Sequence, residues 1–439
     1  MKKLFTKQAY GRRLAARSAA PLLSSLLAFA AVPAVNAQDS GPLLDALARK
    51  GVFTDQEAEE LRVELSAENN ASLFASIAKG KATQFLSFSG RLQTQYAGID
   101  TNATGVSSTN HLFLRRVYIG MDATLSKNFS ASFNYDFAGK SFDKAFLSWS
   151  ATAGSQEFSI DAGLRKVNFG HEENLSSGSL DAIERSGATR YFAEDNNGRR
   201  LGAASYRIGV FFDGNKNAAS GKTTGIFYGA AITNPERVSD VTSIGDKVTN
   251  TFAFWGNVGY SGKVSSVSFL LGAGFGYLPG QGGVTGSNVT TEKDSLAVGS
   301  LYGSLKAGDF TLKAELLLGS SENDKIINTG AGGAIIRQNT SPWGFWVQPS
   351  YKITENLELV ARYSYLDSDL RGVKVSDGVR SAPASLTANT LHEYYAGLNY
   401  YFLGNDVKFQ LGYVGGRATR EGKKSESVSG LRSQIQINF

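Results

Sequence analysis

From Gln84 to the C-terminus the apolar pattern of this chain repeats every two residues, segment after segment. Successive side chains of a strand point to opposite faces, so each segment has one greasy face and one polar face. Leu86, Phe88, Leu92 and Tyr96 oppose Ser87, Ser89, Arg91, Gln93 and Gln95. Val117, Ile119, Met121, Ala123 and Leu125 oppose Arg116, Tyr118, Asp122 and Thr124. Phe129, Ala131, Phe133, Tyr135 and Phe137 oppose Ser130, Ser132, Asn134 and Asp136. Val407, Phe409, Leu411 and Tyr413 oppose Asp406, Lys408, Gln410 and Gly412. The chain ends the same way, with Leu431, Ile435, Ile437 and Phe439 on one face and Arg432, Gln434, Gln436 and Asn438 on the other. A terminal strand of this kind fits a barrel whose outer face meets lipid and whose inner face meets a watery lumen.

The pattern yields sixteen segments, at 84–98, 112–125, 128–139, 143–152, 155–166, 199–213, 222–233, 249–261, 263–278, 293–307, 309–320, 341–354, 356–367, 390–403, 405–418 and 428–439. Tight turns follow the second, fourth, eighth, tenth, twelfth and fourteenth, as at Ser126-Lys-Asn128, Ser261-Gly-Lys263 and Leu403-Gly-Asn405. Long connections follow the first, fifth, seventh, ninth, eleventh, thirteenth and fifteenth, including 320–341 and 367–390. The link 214–221 is long for a turn. Bacterial outer-membrane barrels have short periplasmic turns, long extracellular loops and an even strand number. A soluble β-sandwich has no reason to sort its connections this way. The fold expected is therefore all-β and transmembrane, a 16-stranded antiparallel outer-membrane β-barrel over 84–439. At this strand number the interior is too wide for side chains to fill and holds an aqueous channel, so a diffusion pore is expected.

The first residues read as a cleaved secretory signal over 1–37. Lys2, Lys3, Lys7, Arg12, Arg13 and Arg17 precede an apolar run from Leu22 to Val32, and Val35-Asn36-Ala37 offers the cleavage site. Arg12-Arg13 could belong to a twin-arginine signal, but a barrel must cross the inner membrane unfolded and the residues after the pair fit poorly. The whole chain has 45 Lys+Arg against 39 Asp+Glu, and all six surplus bases sit in the signal, leaving 39 against 39. The basic balance is thus no argument for nucleic acid. Zero cysteines rules out a disulfide framework. No stretch after the signal reaches the roughly 18–20 apolar residues of a membrane helix, while 27 Phe, 18 Tyr and 4 Trp suit interfacial aromatic girdles. Residues 38–83 differ from the rest. Leu43, Leu44, Leu47 and Ala48 have helical spacing, and Thr54-Asp55-Gln56-Glu57 forms a capping box. A short periplasmic helical, coiled-coil-like segment and a solvated tether are both open readings there.

The connection 167–198 is longer than the return of a chain at a barrel rim requires. It contains Glu172, Glu173, Asp181, Glu184, Glu194 and Asp195 against Arg185 and Arg190. Its surroundings, Gly163-Leu-Arg-Lys-Val-Asn-Phe-Gly-His-Glu-Glu173, Ile183-Glu-Arg-Ser186 and Gly198-Arg-Arg-Leu-Gly202, resemble the phosphate-selective porin family, as does Leu114-Arg115-Arg116. The positions that carry the likeness are Lys166, Phe169, Gly170, Glu173, Glu184, Arg185, Arg199 and Arg200; Asn168 departs from it, where the family usually has Pro. The resemblance implies a homotrimer of sixteen-stranded channels in the bacterial outer membrane, among lipid and lipopolysaccharide, passing small anions such as phosphate. It implies a constriction loop at 167–198 that folds into the lumen, built on Glu172, Glu173, Asp181, Glu184, Arg185 and Arg190. The C-terminal Phe439 is the expected contact for the barrel-assembly machinery. The same acids and arginines could equally form salt bridges that pin the loop to the wall.

Strand parity turns Arg91, Arg116, Arg165, Arg207, Lys313, Lys352, Arg362, Lys408 and Arg432 inward, against Asp122, Asp136, Asp161, Glu315, Glu358 and Glu393. These nine bases and six acids favour anions, whereas the acidic loop favours cations, since rings of either sign select the opposite ion. The expected pore-lining and anion-contact residues are Arg91, Arg116, Arg165, Arg199, Arg200, Arg207, Lys313 and Arg362. Lys166 joins them, although parity alone turns it outward. Catalysis is not expected: His111, His171 and His392 are the only histidines, the first two placed in loops, and no nucleophile or metal-ligand motif accompanies them. No cofactor or metal is expected. A non-conducting structural or receptor barrel acting through its extracellular loops is the other reading.

Overall fold

The structure, a computed structural model, describes residues 85–154, 156–195, 197–237, 251–281, 294–328 and 335–439. The expected signal at 1–37 and helical segment at 38–83 lie outside the described residues.

Seventeen strands follow one another. They are β1 (Phe85–Thr101), β2 (Thr109–Thr124), β3 (Phe129–Asp136), β4 (Ser141–Ala153), β5 (Gln156–Lys166), β6 (Tyr206–Gly214), β7 (Gly225–Thr233), β8 (Ala253–Val264) and β9 (Val267–Leu278) in the first part. The second part holds β10 (Leu296–Ala307), β11 (Phe310–Asn328), β12 (Ile335–Thr340), β13 (Trp343–Lys352), β14 (Leu357–Asp367), β15 (Thr390–Leu403), β16 (Val407–Thr419) and β17 (Glu426–Asn438). Apart from β12 and β13, strands adjacent in sequence pair antiparallel, and β1 pairs with both β2 and β17, which closes the ring. β12 and β13 share one stave. Both pair with β11, and Ser341-Pro342 separates them, so seventeen strands make sixteen staves. Proline has no N–H to give the ladder and interrupts it there.

The outward face is apolar, as period two requires. Phe88, Leu92, Ile119, Leu147, Ile160, Val210, Ile226, Val258, Leu271 and Leu301 are exposed along the staves. Aromatic rings mark both rims. Phe254, Tyr277, Trp343 and Tyr394 lie toward the long-loop ends of their strands, and Phe129, Tyr351, Phe402 and Phe439 toward the short-turn ends. This is the lipid-facing belt and girdle of an outer-membrane barrel. The ends of the chain seal it, since Gly90 N donates to Phe439 O at 2.7 Å and Phe439 N to Gly90 O at 3.1 Å.

Four expectations change. β6 starts at Tyr206 rather than 199, so Gly198-Arg-Arg-Leu-Gly202 belongs to the loop. Its backbone bonds to the loop itself, Leu201 N to Tyr191 O and Ala203 N to Phe192 O, with Gly198 and Gly202 at φ 85 and 62°. The turn expected at Ser261-Gly-Lys263 falls at Ser265-Ser266 instead, because Gly262 is spent on making room for the rings of Tyr260 and Phe269. Much of 320–341 is not loop but the extended ladder of β11 and β12. His111 stands on β2, paired opposite Ala97, not in a loop. The long link after β6 is occupied by the helical turn Lys216–Ala219.

Candidate functional site

The connection between β5 and β6 runs over 167–205 and folds into the barrel. Val167 N bonds to Ser205 O at 3.1 Å and ties its neck. Two short helices shape it, α1 (His171–Asn174) and α2 (Gly187–Ala193), the second capped by Ser186, whose hydroxyl accepts from Thr189 N at 3.1 Å. A hydroxyl at this position satisfies one of the amides a helix start leaves open.

Each helix start is also held by a carboxylate from the wall. Glu315 of β11 accepts from His171 N at 2.6 Å, Glu172 N at 3.1 Å and Trp346 Nε1 at 3.1 Å. Glu393 of β15 accepts from Gly187 N and pairs with Arg362 at 2.7 Å, and Arg362 pairs with Glu172 at 3.0 Å. Anions at helix N-termini meet both open amides and the helix dipole. Further along, Asp181 pairs with Lys313 at 2.7 Å and accepts from Gln348 at 2.9 Å. Lys408 and Gln410 donate to Leu180 O and Asp181 O at 2.9 Å each, and Gln436 donates to Gly178 O at 3.0 Å.

The polar face of the terminal strand therefore does not meet open water as expected. Arg432, Gln434 and Gln436 are buried at or below 2% exposure, under the folded-in loop or beside it. The underside of the loop adds an apolar core, in which Phe169, Ile183, Tyr191 and Phe192 cluster with lumen-side Phe211, Trp255, Leu317 and Leu366. Each such side chain contributes about 1.5–3 kcal/mol on burial. The next large connection, 368–389, covers part of the same core through Val373, Val375 and Val379 and carries α4 (Val375–Gly378), the helical turn 216–219 being α3.

What stays open is a cavity of about 910 Å³ between the loop and the wall of β1 to β6. Of the residues expected at the pore, Arg91, Arg116, Arg165, Lys166 and Arg200 line it, with Glu173 and Arg185 from the loop. Arg207 does not. It is fully buried, donates to Pro235 O, Ala204 O and Gly202 O, and stacks over Trp255 at 4.9 Å. Arg362 and Lys313 are likewise spent on Glu172, Glu393 and Asp181, and Arg199 on Asp377 of α4 at 2.8 Å. Arg190 clasps Glu194 with two bonds of 2.9 Å. Parity errs because the inner wall is not one surface: half of it is a docking face for the loop.

The cations on the open side differ in how far they are neutralised. Arg165 pairs with both Asp161 and Asp213 and is held by Asn168 at 3.1 Å. Lys166 and Arg185 share Glu173 at 3.3 and 3.1 Å, so Lys166 turns inward beyond the last β4 pair at Leu164. Arg200 and Arg380 meet Glu194, and Arg380 also reaches Glu184 at 3.0 Å. Among the described residues neither Arg91 nor Arg116 forms an ion pair. Arg91 donates to Asn438 Oδ1 and Ser177 Oγ at 2.7 Å and to Ser176 Oγ at 3.2 Å, and Arg116 to Gln93 Oε1 at 2.7 Å. Gly178 leaves the room Arg91 needs, since a Cβ there would stand 2.6 Å from its Nη2.

Sequence parity misses Arg115, Asp143 and Lys144, all of which line the cavity. Two bulges account for Arg115 and Asp143, while Lys144 shares the parity of Ser148. The β1–β2 register steps from Gln93↔Arg116 to Thr94↔Leu114, leaving Arg115 extra, and the β3–β4 register steps over Asp143. A bulge sends two consecutive side chains to one side of the sheet. The signal was present, because the exposed apolar residues change phase from Leu112 and Leu114 to Ile119 and Met121 across Arg115. Arg380 and Arg237, also lining, come from other connections and carry no local signal.

Burial works against the Glu184 charge, but Arg115 and Arg380 outweigh it and hold the carboxyl well below its usual range. Burial likewise opposes Glu173, and Arg185 and Lys166 bring it below the usual value. His171, stacked on Tyr302 at 4.7 Å, is pushed down to about 4 by burial and then by Lys313.

The chain matches the family model described as phosphate-selective porin O and P over residues 87–243 and 280–439. No curated protein matches it. It is similar to the solved structure of an anion-selective porin from Comamonas acidovorans, at 14% identity and a TM-score of 0.53, covering 81% of this chain and 99% of that one. It is also similar to the outer membrane channel DcaP of Acinetobacter baumannii, at 12% identity and a TM-score of 0.50, covering 82% and 99%. Salmonella typhi OmpF in complex with daunomycin gives 14% identity, a TM-score of 0.50 and coverage of 82% and 99%. At these identities the likenesses are likenesses of fold.

Proposed function

The chain belongs to the phosphate-selective porin O and P family of the bacterial outer membrane, and we propose that this porin passes small anions, phosphate among them, through the cavity beside its inward-folded loop. The observation that carries the preference is the charge of that cavity. Ten basic side chains line it (Arg91, Arg115, Arg116, Lys144, Arg165, Lys166, Arg185, Arg200, Arg237 and Arg380) against six acidic ones (Asp136, Asp143, Glu173, Glu194, Asp195 and Asp406), with the terminal residue Phe439 beside them. Most of the bases have a carboxylate partner. Arg91 and Arg116 have only neutral ones, and their planar donor forks suit oxyanions. Solute moves down its gradient through fixed, water-filled space, and no covalent step is needed.

The test is the reversal potential of the purified protein in a planar bilayer under a KCl gradient, repeated with phosphate. A potential on the chloride side, with phosphate reducing chloride current, supports the reading. A potential on the potassium side overturns it and leaves the porin fold standing. We also propose a homotrimer, the assembly that likeness to this porin family implies. The mass of the detergent-solubilised protein by light scattering tests this, and a monomer would refute it.

A further inference from the structure

The open cavity has an apolar component that inorganic anions do not require. Three of its wall strands each turn one ring inward: Tyr118 from β2, Phe146 from β4 and Tyr206 from β6. All three are half-buried and keep part of their surface toward the cavity. Arg116, Lys144 and Ser148 of β2 and β4 bring polar groups to the same side, whereas Phe211 of β6 is buried in the core under the loop. Ring faces left toward water lose the stabilisation that burial would bring.

These rings stand beside the cations. The guanidinium of Arg91 lies 5.6 Å from the Tyr118 centroid and Lys166 Nζ 5.4 Å from that of Tyr206. Among the described cations lining the cavity, Arg91 and Arg116 are the two without a carboxylate partner. Asp143 lines the same cavity and places a negative charge among the rings. The cavity thus offers a donor fork for one carboxylate, aromatic faces for a flat apolar body, and a carboxylate that repels a second negative charge. Its 910 Å³ falls within the span of small-molecule sites.

We propose that the channel recognises aromatic monocarboxylates, with the carboxylate on Arg91 and Arg116 and the ring against Tyr118, Phe146 and Tyr206. This rests on the anion reading above and names a solute class for the same passage. Guanidinium forks accept a carboxylate with two parallel bonds, and offset or edge-to-face ring contacts favour flat aromatic bodies over saturated ones.

The experiment compares block of chloride current by benzoate and by cyclohexanecarboxylate, which share charge and approximate size but not aromaticity. The expected result is half-block at a benzoate concentration roughly 3–10-fold lower. Tyr118→Ser and Tyr206→Ser together should erase that ratio. Equal block of the wild-type channel by both acids overturns the inference and leaves the anion reading intact. A potassium-side potential in the wild type overturns the anion reading itself. The wild-type comparison decides the matter even where a variant fails to fold.

Discussion

The two carboxylate oxygens of Glu184 accept from Nε and Nη2 of Arg115, at 2.6 and 3.2 Å. The contact exists because β2 holds one residue more than its partner. Without the bulge, Arg115 would point to lipid, and Arg116 alone would face the loop. The extra residue gives the inner wall adjacent arginines with different tasks. Arg115 is neutralised and anchors the loop, while Arg116 rests on the neutral amide of Gln93.

Replacing Glu184 by Gln should loosen the loop. It removes the ion pairs to Arg115 and Arg380, leaving Arg115 beside the channel without a counter-charge and Arg380 with Glu194 alone. Breaking a buried pair from one side costs about 3–5 kcal/mol. Single-channel recordings should show larger current fluctuations and a reversal potential moved further to the chloride side. An unchanged potential would mean that Arg115 and Arg380 do not sense the permeating ion.

Arg116→Gln should move selectivity toward potassium more than Arg165→Gln does. Arg165 is already neutralised by Asp161 and Asp213, whereas Arg116 has no carboxylate partner. The two reversal potentials under one KCl gradient make the comparison, and equal shifts would refute the ranking.

Acid should weaken loop docking in a defined window. His171 is held neutral, pushed down to about 4 from its usual 6.5 by burial and Lys313. An undocked loop takes up that proton at about 6.5, so docking loses free energy as pH falls from there toward about 4 and loses no more from this group below it. Glu173 and Glu184 are depressed in the docked loop, so their contribution is full above the usual carboxylate pKa and is lost progressively as pH falls from there toward their lowered values. Current fluctuations recorded from pH 7 to 4 should rise across the histidine window. His171→Gln should flatten that rise, and a rise that survives it would point to another group.

Gly163→Ala should destabilise the barrel where β4 meets β5. Gly163 has φ 133°, and a Cβ there would stand 2.4 Å from Ala145 O and 2.8 Å from Phe146 Cα, both backbone atoms that cannot rotate away. A strained backbone position alone costs about 1–3 kcal/mol. Thermal unfolding in detergent should show a lower midpoint than Gly154→Ala. Gly154 also has positive φ, but nothing lies within 4 Å of its would-be Cβ.

The sorting of short turns and long connections made the barrel legible, because a closed sheet in lipid must alternate its faces and return at alternate rims. The segments slipped where a glycine served something other than a turn. Gly262 accommodates rings, and Gly198 and Gly202 shape a loop that was read as the opening of a strand. The site was legible in part. Arg91, Arg116, Arg165, Lys166 and Arg200 line the cavity. Arg207, Lys313 and Arg362 have the same parity signature, yet the loop or its neighbours use them.

The period-two pattern by itself determined a closed antiparallel wall, its lipid face, its sixteen staves and the place of the long loop, since each follows from side-chain alternation along one strand. Tertiary structure alone decided which inward residues meet solute. That depends on where the loop at 167–205 lies, and the loop is placed by contacts far apart in sequence: Glu315 on the amides of His171 and Glu172, Arg362 between Glu172 and Glu393, and Gln436 on Gly178 O. Alternation tells a side chain which way to point. It carries no information about what the chain folds back to place in front of it.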